Sequence, residues 1–360
     1  MSQVSAHLAA HGYGAALITP GPDLLYLAGY DAVPLERLTC LVLRPDAEPV
    51  LVVPLLEAPA ASISPYGSSG ASVVTWGETS DPYQLVSNVV GRTDVVAVDD
   101  HMWAAKVLSL RSAMRPAEQV LAGSIISPMR MRKSEREIAA LREAGEAIDR
   151  VHALVPTFLR PGRTERDVSR DIAEAIVAQG HTRVDFIIVA SGPHGASPHH
   201  EVSDRVLTPG DPVVVDIGGT MPSGYRSDCT RTYTLGDPGS DYLAAYSILL
   251  AAQQAGLDAV RAGVTCESID DAPRDILTAS GLGEFFIHRT GHGIGLETHE
   301  DPYLVQGNDL RLEPGMSFSV EPGFYIPGKH GARIEDIVVC TTEGVSILNH
   351  QPRDLVWVDA

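Results

Sequence analysis

The sequence predicts two domains: an α/β domain over residues 1–128, and an α+β domain over residues 129–360 in which helices pack on an antiparallel sheet. Three observations predict it. At 360 residues the chain exceeds the usual size of a single domain. Short apolar runs alternate with helical patterns as far as Pro128. Beyond Pro128, two helical stretches precede strand-like runs, and that order then repeats.

The elements follow in chain order. CLVLRPDAEPVLVVP reads as a hairpin, with two apolar runs around Pro45–Asp46. VVAVDD at 95–100 reads as a strand leading to a helix over 102–111. Ser134 and Glu137 form a capping box that opens a helix, in which Ile138, Leu141, Ile148 and Val151 recur at helical spacing. Arg160–Pro161–Gly162 stops it. Thr164 caps a second helix with Val168, Ile172 and Ile176 on its apolar face, closed by Gly180. DFIIVASG at 185–192 and VVVDIGG are strands. A long helix follows Ser240, and a shorter one follows Cys266 and closes at Gly281. Two helices followed by carboxylate-bearing strands, twice over, predict an internal pseudo-twofold.

Composition narrows the function classes. Hydrophobic content of 44% supports a large core, and no apolar stretch approaches the length of a membrane-spanning helix. The N-terminus lacks the basic and apolar regions of a signal peptide. Four cysteines without a CxxC spacing read as reduced thiols in a cytoplasmic protein. A net charge of −19 argues against nucleic acid or an anionic membrane as partner, because both require basic patches.

The chemistry concentrates in the last third of the chain. Asp216 and Asp228 lie in VVVDIGGTMPSGYRSDCTRTY, His292 in GHGIGLETHE, and Glu321 and Glu335 in SFSVEPGFYIPGKHGARIEDIVV. Four carboxylates and an imidazole suit two divalent metals that activate water for hydrolysis. The oxygen-rich shell favours Mn2+, with Co2+ or Zn2+ as alternatives. If each carboxylate pair spans a hairpin and its members face each other directly, the turns centre on Pro222 and on Gly328. Opposed carboxylates repel unless a cation lies between them. GHGIG lacks the strand–turn–helix setting of a dinucleotide loop, so its glycines are read as letting the backbone pass close to His292.

These motifs resemble the metallopeptidase family with the pita-bread fold, which includes methionine aminopeptidase, aminopeptidase P and Xaa-Pro dipeptidase (prolidase). The resemblance covers residues 135–350 through VVVDIGG, SDCTRTY, GHGIGLETHE, EPGFY and RIED, and the five ligand positions of the family fall on Asp216, Asp228, His292, Glu321 and Glu335. VASGPHGASPHH matches the segment carrying the family's catalytic histidine, at His199. The N-terminal domain, with its LYLAGY stretch, resembles that of the proline-specific branch. The resemblance implies cleavage of the bond before proline in X-Pro dipeptides, or alternatively removal of the first residue from longer X-Pro peptides as in aminopeptidase P. It implies Glu321 as general base, His199 and His299 beside the reacting carbonyl and leaving nitrogen, and a homodimer. Two features qualify it. The Asp216–Asp228 interval is one residue longer than in most members. Tyr303 stands where prolidases often carry an arginine for the substrate carboxylate. Arg333 matches another carboxylate-binding position and reads equally as a partner of a ligand carboxylate; Phe186 reads as a wall for proline or as core.

Overall fold

In the computed structural model, residues 1–115 and 117–359 are described, and the chain divides into two compact units, Met1–Arg130 and Met131–Ala360.

The first unit is built on six strands: β1 (Ala15–Ile18), β2 (Cys40–Arg44), β3 (Ala47–Pro54), β4 (Ser72–Trp76), β5 (Val95–Val98) and β6 (Glu118–Leu121), in the sheet order β4-β3-β2-β1-β5-β6. β2 runs antiparallel to β1 and β3, and the other pairs are parallel. Arg44 pairs with Ala47, which makes Pro45–Asp46 the turn of the expected hairpin. Leu41, Leu43, Leu51 and Val53 enter one core cluster, while Cys40, Val42, Val50 and Val52 enter another. Burial of both faces explains why these strands read as continuous apolar runs without alternation. The helix expected over 102–111 runs Ala104–Ala113, and a further helix, Gly123–Met131, passes across Pro128.

The second unit consists of two halves of like construction. In the first, helices Glu135–Phe158 and Glu165–Ala178 precede β7 (Arg183–Ser191), β8 (Pro212–Thr220) and β9 (Arg226–Leu235). In the second, helices Ser240–Ala259 and Cys266–Ala279 precede β10 (Gly291–Gly293), β11 (Glu300–Leu304), β12 (Ser317–Val320), β13 (Gly323–Ile326), β14 (His330–Arg333), β15 (Asp336–Cys340) and β16 (Val345–Ile347). A last strand, β17 (Val356–Val358), returns to the first sheet, whose order is β17-β9-β8-β7. The other sheet has the order β11-β10-β12-β15-β16, with β13-β14 as a separate pair.

The likeness of the halves extends to their entry turns. Arg160–Pro161–Gly162–Arg163–Thr164 and Arg261–Ala262–Gly263–Val264–Thr265 share an R-x-G-x-T pattern. Gly162 and Gly263 have φ of +88° and +89°, a conformation that favours glycine. Their N–H groups donate to the carbonyls of Leu207 and Leu312 at 3.0 and 2.8 Å. Isolated bridges then join Thr164 to Val206 and Thr265 to Arg311.

Side-chain alternation positions the site. The helices of the first half bury Val151, Val155, Val168 and Ile172 against Val213, Val215 and Ile217 of β8 and against Cys229, Tyr233 and Leu235 of β9. Residues between these on each strand point to the opposite face. That face carries Asp216, Asp228, Thr230 and Thr232. The four cysteines are buried free thiols, and no described helix is long and apolar enough to cross a membrane.

Candidate metal centre

The two carboxylate hairpins differ in register. β8 and β9 pair Asp216 with Thr230 and Gly218 with Asp228, so the two aspartates are diagonal neighbours and do not face each other directly. This corrects the expected turn at Pro222. The actual loop is Pro222–Ser223–Gly224, closed by the Met221 N–H bonding to the Tyr225 carbonyl at 2.9 Å. Gly224, at φ +85°, supplies the left-handed third residue of such a loop. The second hairpin turns at Gly328, as expected: β13 and β14 pair Gly323 with Arg333, and β12 and β15 pair Val320 with Asp336. One register runs through both ladders, and Glu321 and Glu335 occupy the break between them.

The strands of the first half fill that break. The Glu335 N–H donates to the Thr230 carbonyl at 3.1 Å. The Thr230 hydroxyl donates to Glu335 Oε2 at 2.7 Å, and the Thr232 hydroxyl donates to the Arg333 carbonyl at 2.9 Å. Arg231, 1% exposed, ties Asp336 at 2.6 Å and the Glu335 carbonyl at 2.5 Å. Residues of one half thus hold the backbone that carries the ligands of the other.

His292 is fixed from both sides. Its backbone N–H donates to the Ser319 hydroxyl at 3.0 Å, and that hydroxyl donates to Glu321 Oε1 at 3.0 Å. Its ring Nδ1–H donates to the Gly293 carbonyl at 3.1 Å, which directs Nε2 to Glu321 Oε1 at 3.2 Å and Asp228 Oδ2 at 3.8 Å. The flanking glycines are required by close packing of neighbouring strands. A Cβ on Gly291 would lie 1.9 Å from the Ser319 carbonyl oxygen, and one on Gly293 would lie 2.2 Å from that of Asp301.

The resulting cluster has the ligand content of a two-cation site. Asp216, Asp228 and Glu335 bring ligand atoms within 4.8 Å of one another; so do His292, Glu321 and Glu335, and so do Asp228, His292 and His299. Glu335 belongs to two of these groups. Two carboxylates about 5 Å apart repel by roughly 3 kcal/mol at an effective dielectric of about 20. Burial raises the pKa of Asp228 and of Glu335 well above the ordinary carboxylate range, and the neighbouring carboxylates raise both further. Burial also works against ionisation of Glu321, but the hydrogen bond and charge of His292, with His288 and Arg333, outweigh it and hold the carboxyl to about 2. Asp216 Oδ1 and Glu335 Oε1 are buried with no hydrogen-bond partner among the described residues. Buried, unpartnered carboxylate oxygens in an acidic cluster fit divalent cations.

The cluster opens into a cleft of about 1090 Å³. His199, His299, Phe186 and Arg333 line it together with the five ligand-type residues. His199 lies on a turn, not on a strand. His299 is exposed, with its ring centre 3.9 Å from that of His292. Tyr303 is the strand partner of His292 but is not among the lining residues; the Arg289 guanidinium covers its ring at 4.2 Å. Arg333 is buried and donates to Asp216 at 2.6 Å and to the Tyr325 hydroxyl at 2.7 Å.

Sequence reasoning missed three features. His288 and Arg289 line the cleft just ahead of the glycine-fenced motif. Glu165, fully buried, collects the segment that bears His199: Ser191 donates to it at 2.7 Å, His194 at 3.0 Å, His200 at 2.8 Å and Ser203 at 2.7 Å. Burial pushes the Glu165 carboxyl up, but these donors prevail and bring it to about 2. Its position at the start of a helix, 35 residues from His200, gave no sequence signal.

The comparisons with known proteins agree with this geometry. The profile of metallopeptidase family M24 matches residues 139–342, and that of the creatinase/prolidase N-terminal domain matches residues 1–132. A protein of Mycobacterium tuberculosis named probable dipeptidase PepE is 54% identical over 359 residues, covering 99% of this chain and 96% of that protein. A Lactobacillus helveticus protein named Xaa-Pro dipeptidase is 37% identical, covering 94% of each chain. The solved structure of a Thermococcus sibiricus prolidase superposes with a TM-score of 0.92 at 33% identity, covering 99% of this chain and 98% of that one. The chain belongs to metallopeptidase family M24: a hydrolase with the pita-bread catalytic fold, preceded by a creatinase-like N-terminal domain.

Proposed function

We propose that this protein hydrolyses the peptide bond before proline in X-Pro dipeptides. The observation that carries the reading is the pair of ligand groups sharing Glu335, at the floor of a cleft open to a peptide. Resemblance to proteins named Xaa-Pro dipeptidase and prolidase supports the choice of bond. Asp216, Asp228, His292, Glu321 and Glu335 would hold two divalent cations, with Mn2+ favoured by the oxygen-rich donors. Such cations, when bound, polarise the scissile carbonyl and make water a better nucleophile at neutral pH.

The protein's own groups do the rest. Hydrolysis joins a water oxygen to the carbonyl carbon, breaks the bond to the proline nitrogen, and requires that nitrogen to gain a proton. Glu321 receives the proton from the attacking water and delivers it toward the nitrogen. His199 and His299, both exposed to the cleft, hydrogen-bond the developing oxyanion or the leaving nitrogen. Arg333 holds Asp216 in place and opposes the effect of burial on its ionisation, and Phe186 offers proline an apolar wall. A cytoplasmic location and a homodimer belong to the same proposal.

A second reading, removal of the first residue from longer X-Pro peptides, is favoured by the cleft volume of about 1090 Å³, slightly above the usual range for small-molecule pockets. Both are tested by supplying the purified protein with Mn2+ and comparing Ala-Pro, Ala-Pro-Ala and Ala-Ala. Ala-Pro should be cleaved fastest, and chelation should abolish cleavage. Preference for the tripeptide would favour the second reading, and failure to cleave any X-Pro bond would overturn both.

A further inference from the structure

We propose that Arg289 is a specificity-determining residue that receives the C-terminal carboxylate of the substrate, with Tyr303 as its positioning residue. This rests on the dipeptide reading above. Three arginines line the cleft: Arg166, Arg289 and Arg333. Arg166 is paired with Asp204 at 2.8 Å. Arg333 is spent on protein partners, its Nη2 on Asp216 at 2.6 Å, its Nη1 on the Tyr325 hydroxyl at 2.7 Å and the Pro198 carbonyl at 3.4 Å, and its Nε on the Thr230 hydroxyl at 3.1 Å. Arg289 is different. Among the described residues its guanidinium has no carboxylate partner, although the cleft is rich in carboxylates. It lies over the Tyr303 ring instead, 4.2 Å from the ring centre.

An aromatic face attracts a cation without neutralising it or using its N–H donors. Arg289 therefore keeps its planar fork available for a bidentate anion. Its location is tied to the proposed chemistry: it precedes His292 by three residues, and its support Tyr303 is the strand partner of His292. The anion a dipeptidase must recognise is the free carboxylate one residue beyond the scissile carbonyl. That group is what separates a dipeptide from a longer peptide. A fork held beside the cation-binding floor selects for it, because a substrate lacking the carboxylate leaves the guanidinium without a partner.

The test uses the full-length, Mn2+-loaded protein with Ala-Pro and its C-terminal amide, and reads the ratio of their kcat/KM values. Arg289→Met should lower the preference for the acid over the amide by about tenfold or more, the loss expected for one charge-assisted interaction, mainly through KM for Ala-Pro. Arg289→Lys should restore part of that ratio, and Tyr303→Leu should lower it by less than Arg289→Met. Calorimetric binding of L-proline and of prolinamide gives a readout independent of turnover: proline should lose affinity in Arg289→Met, and its advantage over prolinamide should shrink. An unchanged acid-to-amide ratio, or an unchanged proline affinity, would overturn the assignment. If the wild type cleaves no X-Pro bond, the functional reading falls, while proline binding in the variants still decides the role of Arg289.

Discussion

The two halves of the catalytic unit share helices, entry turns and cap positions, yet they present their carboxylates differently. The first half uses aspartates on a continuous hairpin, where β8 and β9 pair without interruption from Pro212 to Thr220. The second uses glutamates in the break between two ladders of one register. On the continuous hairpin the backbone fixes the short side chains. In the break, fixing comes from outside: Thr230, Arg231 and Thr232 of the first half hold the backbone from Arg333 to Glu335. The lesson is an asymmetry of dependence. The backbone of the aspartate hairpin is supported by its own pairing, with the Asp216 side chain gripped from the second half by Arg333, whereas the backbone that carries the second glutamate depends on the opposite half.

The largest effect should come from a residue shared between ligand groups, as Asp228, His292 and Glu335 each are. Glu335→Ala removes a ligand from two groups, while Asp216→Ala removes one from a single group. Elemental analysis should therefore find both metals lost in Glu335→Ala and one retained in Asp216→Ala, and kcat/KM of Glu335→Ala should fall by at least about 10³-fold. Equal metal content in the two variants would show that sharing of Glu335 does not matter.

The stitch between the halves is tested by Arg333→Met. This leaves Asp216 buried without its cation, at a cost of about 3–5 kcal/mol in the metal-free protein. Arg166→Met breaks an exposed pair with Asp204, whose side chains are 58% and 81% exposed, and should cost less than about 1 kcal/mol. Chemical denaturation of the two variants gives the comparison directly. A small loss in Arg333→Met would mean that Asp216 is neutral in the metal-free fold.

The parts that sequence exposed, and those it did not, divide along the same line. The second hairpin was legible because Pro327–Gly328–Lys329 admits one turn centre, and the register follows from it. The first was misplaced by one position because the five residues from Thr220 to Gly224 admit two centres, and only the left-handed conformation of Gly224 distinguishes them. The five ligand-type residues stood out in the sequence because acidic residues inside or beside apolar strand-like runs, and a histidine between glycines, are unusual; the structure gathers them along one cleft. The groups that hold them did not stand out. Thr230 and Thr232 look like ordinary β-branched strand residues, and Glu165 like a helix N-terminal acid. Arg289 looks like a solvated charge until its partner, fourteen positions later, is seen beneath it. Long-range pairings of this kind leave no local pattern.

A smaller effect concerns pH. Asp216, Asp228 and Glu335 all have pKa values raised above the ordinary range, with burial the leading cause. Groups raised in this way favour the fold while protonated. Their contribution is complete below the unfolded values near pH 4 and is lost as pH rises through the folded values, at up to about 1.4 kcal/mol per pH unit for each group. Chelated protein should therefore lose stability as pH rises from 4 toward neutrality. Metal-loaded protein should not, because cations favour the ionised carboxylates. Thermal unfolding across that range, with and without chelator, should show a gap that widens with pH; a constant gap would exclude these groups as the source.

The smallest difference is in the matched helix caps. Helices Glu165–Ala178 and Cys266–Ala279 are both 14 residues long and are entered through the same glycine–threonine turn. Thr164 belongs to a reciprocal box: its hydroxyl receives the Asp167 N–H at 3.1 Å, and the Asp167 carboxylate receives the Thr164 N–H at 3.2 Å. Thr265 receives the Ser268 N–H at 3.2 Å, but Ser268 turns its own hydroxyl to the Thr265 carbonyl and leaves the box open. Each Thr→Ala change should cost about 1 kcal/mol. Thr164→Ala should cost more, because its hydroxyl also donates to Asp167 at 2.9 Å and so orients the carboxylate that completes the box. A larger loss in Thr265→Ala would mean that tertiary packing, and not capping chemistry, distinguishes the two entry turns.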